Sequence, residues 1–137
     1  MGRVIFASHG GLSKGMKDSV SMIVGDLAKD VETYSLLPGQ NPEDFYQEVL
    51  KEAKESEEQI VILCDIKGGS VHTALSKLAV LDNVMVFSGM NMGLVLDAVM
   101  KCLNGKLELA EANDLIEAAK DGMTVMNGMT SEDDEDF

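Results

Sequence analysis

The chain has 137 residues, 45% of them hydrophobic, and its 24 acidic residues against 11 basic ones give a formal charge of −13. A chain of this length and composition can bury one core, so we expect a single domain and exclude disorder for its main body. The negative charge argues against binding to nucleic acid or anionic membranes, which attract basic surfaces, and favours a partner with a basic surface.

Short apolar runs alternate with helical patterns along the chain. The first half predicts strands at residues 4–7 and 31–37, a helix at 13–27, and a helix that begins at Pro42 after the cap residue Asn41. The second half predicts strands at residues 59–64, 83–88 and 124–126, and helices at residues 71–81, 94–103 and 107–119. The segment 131–137 holds five acids in seven residues and predicts a mobile tail.

Strands that alternate with helices predict the α/β class. We expect a mostly parallel four-stranded sheet with helices on both faces, followed by a short C-terminal antiparallel strand. The β-branched run at residues 60–63 is typical of a central strand buried on both faces. Residues 1–130 form the predicted domain, and residues 131–137 form its acidic tail.

Polar residues follow two of the predicted strands, and glycines follow in both places. His9 ends the first strand and Asp65 the third, and the carboxyl ends of parallel strands lie at one edge of a sheet. If these strands are neighbours, the carboxylate can hold one imidazole nitrogen and leave the other nucleophilic. We therefore interpret His9 as a phosphate carrier and expect both residues to be catalytic.

The glycines beside these residues, with the serine that follows them, are the candidate phosphate-binding positions: Gly10, Gly68, Gly69 and Ser70. Glycine allows backbone N–H groups to approach a phosphoryl group closely, and the Ser70 hydroxyl can donate a hydrogen bond. Each residue also has a simpler interpretation when taken alone. A histidine at a strand end is more often a surface residue, and a glycine pair an ordinary turn.

Three further residues are candidates for the rim of the site or for contacts to a partner: Lys67, His72 and Asn91. Lys67 is either a positive contact for the phosphoryl group or partner, or a solvated loop lysine. His72 falls in the first turn of a predicted helix, where a cationic imidazole is disfavoured. We interpret it as a wall of the site or a surface residue.

Four markers lie in order at the strand ends: Ser8-His9-Gly10, Pro38-Gly39-Gln40-Asn41, Asp65 with Gly68-Gly69-Ser70, and Ser88-Gly89-Met90-Asn91. With them the chain resembles the mannose-type enzyme IIA domains of the bacterial phosphoenolpyruvate-dependent sugar phosphotransferase system. The chain departs from the family pattern at Lys67, Val71 and His72, where an aromatic residue, proline and asparagine are frequent in the family. It departs again at Gly93, where the family commonly has proline. These positions line the rim of the site, so we expect the differences to affect the choice of partner.

The resemblance implies a phosphoryl relay. His9 would accept phosphate on Nε2 from the histidine-containing phosphocarrier protein and pass it to a IIB component for sugar uptake. Asp65 would hold the other ring nitrogen, and Ser70 with the glycine amides would contact the phosphoryl group. The resemblance also implies a homodimer in which residues 124–126 form an antiparallel strand exchanged between subunits.

Two alternative functions stay open from the sequence. The phosphotransferase subunit of dihydroxyacetone kinases uses a similar domain, but a serine typically follows its histidine where Gly10 stands here. A regulatory binding module without turnover is the second alternative. A receiver domain phosphorylated on Asp65 is rejected, because Ser8-His9 occupies the place of the acidic pair that binds magnesium.

Neither the ends nor the cysteines of the chain point to another class of protein. The sequence has no basic-then-apolar signal stretch and no apolar run long enough to span a membrane. Cys64 and Cys102 are too few for a disulfide scaffold and lack metal-ligand spacing. We therefore predict a cytoplasmic protein that needs no metal and no cofactor.

Overall fold

The computed structural model describes residues 2–128. In chain order the elements are β1 (Arg3–His9), α1 (Leu12–Val24), β2 (Glu32–Leu36), α2 (Pro42–Lys54), β3 (Ile60–Cys64), α3 (Ser70–Leu75), β4 (Val84–Phe87), α4 (Met92–Leu103) and α5 (Leu109–Asp121). Short 3₁₀ helices, Gly25–Ala28 and Ser76–Val80, extend α1 and α3. The predicted helices at 13–27 and 71–81 are therefore each partly 3₁₀. Gly25 has a φ of +61°, which ends the α-helical hydrogen bonding of α1.

The four strands form one parallel sheet in the order β2-β1-β3-β4. Ala7 in β1 lies opposite Tyr34 in β2 and Cys64 in β3. This topology confirms the predicted α/β class and the parallel four-stranded sheet. It also confirms that the first and third strands are neighbours, on which the predicted meeting of His9 and Asp65 depends.

Helices cover both faces of the sheet, as the alternation of side chains along β1 requires. Val4 and Phe6 pack with α1, α4 and α5 on one face. Ile5 and Ala7 pack with α2 and α3 on the other. Every residue of β3 is buried, including Cys64, where burial raises the thiol pKa to about 12. The thiol is therefore core packing, as the sequence indicates.

The predicted fifth strand is not part of the sheet within a single chain. Residues 124–126 lie outside the helices and strands of the described region, and Val125 is 86% exposed. A strand exchanged between subunits would pair only in a dimer, so it stays a prediction. The predicted acidic tail, residues 131–137, lies outside the described residues. Between residues 2 and 128, no helix is long and apolar enough to cross a membrane.

Candidate active site

The side chains of His9 and Asp65 meet at the carboxyl edge of the sheet. Asp65 follows β3 directly, and its N–H donates to the Ala7 carbonyl across the strand pair at 3.1 Å. One carboxylate oxygen, Oδ2, accepts from the His9 backbone N–H at 2.8 Å and lies 2.8 Å from His9 Nδ1. The other, Oδ1, accepts from the Ile66 N–H at 2.9 Å. The carboxylate therefore fixes both the backbone and the ring of His9.

Ser70 contacts the opposite side of the same ring. As the first residue of α3, it places its Oγ 3.0 Å from His9 Nε2. An ionised carboxylate only accepts hydrogen bonds, so the ring proton lies on Nδ1 and the lone pair on Nε2. The His9 side chain is 46% exposed, whereas that of Asp65 is 8% exposed. The arrangement leaves a lone pair on Nε2 of a half-exposed ring and keeps the carboxylate that orients the ring covered.

The environment of Asp65 favours its ionised form. Burial raises the pKa of the carboxyl, but hydrogen bonds from the backbone and ring of His9 and from the Ile66 N–H outweigh it. The net effect holds the pKa of Asp65 below its ordinary value. At neutral pH the carboxylate is charged and can stabilise positive charge that develops on the imidazole.

The lowered pKa of Asp65 predicts a pH-dependent contribution to folding stability. A carboxyl whose pKa is lower in the folded state contributes fully above the unfolded pKa, about 3.9, and loses that contribution as the pH falls through the folded pKa. We expect the wild type to exceed Asp65→Asn in unfolding free energy at neutral pH, with the gap closing below about pH 4. Urea unfolding across this range measures the gap, and one that does not change with pH contradicts the prediction.

The glycine loop approaches the ring so closely that a side chain would collide with it. A Cβ on Gly69 would lie 3.2 Å from His9 Cε1 and 2.8 Å from Ile66 Cγ2. Gly68 has a φ of +80°, a backbone conformation that other residues adopt only at a cost. Gly68 is therefore needed for the turn, and Gly69 is needed for the close approach to His9.

The backbone N–H groups of three predicted phosphate-binding glycines are already bonded within the protein. Gly10 donates to the Leu36 carbonyl at 2.8 Å, and Gly69 donates to the Ile66 carbonyl at 3.2 Å. Gly68 donates to Nδ1 of His72 at 3.1 Å. In this conformation the turns that bring the loops together use these donors, so a role for the three amides in phosphate binding stays a prediction. The Ser70 hydroxyl is the donor that lies beside Nε2.

Replacing Gly69 by alanine tests this steric interpretation. Gly69 has φ −68° and ψ 166°, which any residue can adopt, so the substitution introduces a collision without backbone strain. We expect Gly69→Ala to slow any reaction at His9 by about tenfold or more, because small displacements of a reacting group are costly. Gly15→Ala, where a Cβ meets nothing within 4 Å, is the control. Equal rates for the two variants would show that the loop does not position the ring.

Comparison with known proteins identifies the family. The family model described as "PTS system fructose IIA component" matches residues 3–120, most of the chain. The chain is a mannose-type IIA component of the sugar phosphotransferase system. The family match confirms the resemblance predicted from the four strand-end markers. It also makes the protein a sugar phosphotransferase subunit that works with other proteins of that system.

Relatives of this IIA component include a sorbose-specific EIIA component from Klebsiella pneumoniae. The two are 33% identical over 101 residues, which are 72% of this chain and 73% of the relative. A IIA protein associated with the fucose utilization operon of Streptococcus pneumoniae has 26% identity and a TM-score of 0.71, covering 90% of this chain and 91% of that one. A Streptococcus agalactiae EIIA structure, at 22% identity and a TM-score of 0.77, covers 91% and 97% and shows the same fold.

The three predicted rim residues of this IIA component have different surroundings. Lys67 is exposed on the glycine loop. Asn91 caps α4, where its Oδ1 accepts from the Leu94 N–H at 2.9 Å, so its side chain has a structural role. His72 is half-buried and accepts the Gly68 N–H. Of the three, His72 is the one tied to the loop that contacts His9.

Two buried serines hold the turn that carries His9, and neither is among the residues predicted for the site. Ser8 Oγ accepts from the Ser13 N–H at 2.7 Å and donates to the Gly10 carbonyl at 3.2 Å. Ser13 Oγ in turn donates to the Tyr34 carbonyl at 2.9 Å. The position of Ser8 within the first marker was the available signal, since a serine buried between a strand and a helix needs local partners.

Proposed function

We propose that this IIA component carries a phosphoryl group on Nε2 of His9 in the cytoplasm. It accepts the group from the histidine-containing phosphocarrier protein and passes it to a IIB component for sugar uptake. The observation that carries the proposal is the orientation of the His9 ring. Its Nδ1 is bound to the charged Asp65, and its Nε2 lies beside a hydroxyl donor on a ring that is about half exposed.

The transfer is balanced without a cofactor. The Nε2 lone pair attacks phosphorus, the bond between phosphorus and the donor imidazole breaks, and that imidazole leaves with the electron pair. The proton on Nδ1 of His9 stays in place, so the phosphorylated ring is cationic, and the Asp65 carboxylate 2.8 Å away stabilises it. Once Nε2 is bonded to phosphorus, its lone pair no longer accepts from the Ser70 hydroxyl, which can then donate to a phosphoryl oxygen. The second transfer repeats the same bond exchange with a IIB nucleophile.

The surface around the site supports a protein partner as the donor. Leu12, Leu37 and Ile66 follow β1, β2 and β3 at the edge of the sheet that carries His9, and each is about half exposed. Exposed apolar residues that surround a reactive group are typical of a protein contact. The charge of −13 would attract a basic phosphocarrier and speed encounters that must also be brief.

We also propose that the protein works as a homodimer. Met123, Val125 and Met126 are exposed in the single chain, with Val125 at 86%. Pairing residues 124–126 with the sheet of a second copy would cover them and add the antiparallel strand that the resemblance implies. A dimer in solution that becomes monomeric on removal of residues 124–137 is the expected result. A monomeric full-length chain contradicts this part of the proposal.

The phosphoryl relay is tested with the full-length protein and labelled phosphoenolpyruvate. With the general phosphotransferase and the phosphocarrier protein present, we expect one phosphoryl group per chain that is labile in acid and stable in base. Omitting the phosphocarrier should prevent labelling, and adding a IIB component should remove the label. A base-labile acyl phosphate, or label that moves only to dihydroxyacetone in the presence of a kinase subunit, contradicts the proposal.

A further inference from the structure

We propose that His72 is a positioning residue for the phosphoryl transfer, acting as a neutral imidazole that holds the Gly68–Gly69 loop against His9. The inference rests on the proposed function of His9 and goes beyond it. It concerns the second of the two histidines in the chain, at a position where the sequence departs from the family pattern.

The first turn of α3 binds both polar groups of Gly68. Its N–H donates to His72 Nδ1 at 3.1 Å, and its carbonyl accepts from Thr73 Oγ1 at 3.3 Å. The Thr73 N–H also donates to the Gly69 carbonyl at 2.8 Å. Because Gly68 has a φ of +80° and no side chain of its own to pack, these hydrogen bonds hold it in place.

The loop held in this way forms one side of the reaction site. The Cα of Gly69 lies so near the imidazole that an added Cβ would be 3.2 Å from His9 Cε1. The next residue, Ser70, supplies the Oγ that lies 3.0 Å from His9 Nε2. A loop released from His72 would therefore shift both the surface against which the ring rests and the hydroxyl beside the nucleophilic nitrogen.

The two histidines must hold their protons on opposite nitrogens. His9 donates from Nδ1 to the Asp65 carboxylate, which leaves Nε2 free to react. His72 accepts at Nδ1 from a backbone N–H, so its proton lies on Nε2. A cationic His72 would carry a proton on Nδ1 and could not accept the Gly68 N–H. The geometry therefore requires a neutral His72 in the unphosphorylated protein.

Two substitutions at His72 separate the acceptor from other properties of the side chain. Asparagine places its Oδ1 at the same distance along the side chain as Nδ1, whereas leucine has similar bulk and no acceptor. We expect His72→Asn to accept phosphate within about twofold of the wild-type rate and His72→Leu to be slower by about tenfold. Rapid-quench measurements with phosphorylated carrier protein give both rates. Leucine is the better helix former, so a simple helix-stability effect predicts the opposite order.

NMR of the unphosphorylated protein tests the hydrogen bond independently of the relay. The ring-nitrogen shifts should show a proton on Nε2 of His72 and on Nδ1 of His9, and the Gly68 amide should exchange about tenfold faster in His72→Leu than in His72→Asn. A proton on Nδ1 of His72, or equal transfer rates for the two variants, overturns the inference. A wild type that accepts no phosphate overturns the proposed function instead, whatever the ring nitrogens show.

Discussion

Replacing His9 by alanine should abolish phosphoryl uptake, with labelling at least about 10⁴-fold below the wild-type rate, the scale expected when a nucleophile is removed. The substitution removes the nitrogen that forms the bond to phosphorus, and no other imidazole lies at this edge except His72, whose Nδ1 is bonded to the Gly68 N–H. The alanine variant should fold, because the His9 side chain is 46% exposed. Time courses with phosphorylated carrier protein measure the loss.

The matched comparison removes the other histidine. His72→Asn should still reach one phosphoryl group per chain, because it leaves Nε2 of His9 in place. Circular dichroism and thermal unfolding of both variants show whether each is folded before the labelling is compared. If His9→Ala is folded and still takes up label, the carrier is another residue and the proposed relay is wrong.

Replacing Asp65 by asparagine should slow phosphoryl uptake by about 10²-fold or more, with a smaller effect on binding of the phosphocarrier. The asparagine side chain keeps the shape of the aspartate but loses the charge that fixes the Nδ1 proton and stabilises the cationic phosphorylated ring. Its NH₂ group could also face His9 Nδ1 and favour the wrong tautomer. Single-turnover rates at a series of carrier concentrations separate the rate constant from binding.

Asp97→Asn is the charge-matched control for this substitution. Asp97 is an exposed residue of α4, and the hydrogen bonds of the His9 ring go to Asp65 and Ser70. Its replacement therefore lowers the negative charge by the same one unit without removing a partner of that ring. Any effect that comes only from weaker attraction of a basic partner should appear equally in both variants and fade with salt. Equal rate constants for Asp65→Asn and Asp97→Asn would show that the carboxylate beside His9 does not assist transfer.

The meeting of His9 and Asp65 was predictable from the sequence because it depends on simple features. Apolar runs fix the strands, their polar ends fix one edge of a parallel sheet, and only the adjacency of β1 and β3 remained to be assumed. The cap at Asn41 was predictable for the same local reason, and its side chain accepts the Glu43 N–H at 3.0 Å.

The hydrogen-bond partners of the loop amides were not predictable, because a sequence pattern does not contain the direction in which each N–H points. Glycines at Gly10, Gly68 and Gly69 indicate backbone freedom, but the partner of each N–H follows from the turn that forms. The sequence predicts His72 as a wall of the site or a surface residue, whereas its bond to the Gly68 N–H, four residues earlier, depends on how the loop turns. Residues 124–126 lie outside the helices and strands of the single chain, so the exchange of a strand between subunits stays a prediction.

The most direct test of the relay is to locate the phosphorus in the phosphorylated protein by heteronuclear NMR of the histidine rings. We expect a phosphorus–nitrogen coupling to Nε2 of His9, with the proton on Nδ1 retained by Asp65. Phosphorus on Nδ1 of His9, on His72 or on Asp65 would contradict the proposal, because the observed geometry leaves only the Nε2 lone pair of His9 both free of the carboxylate and open to a partner.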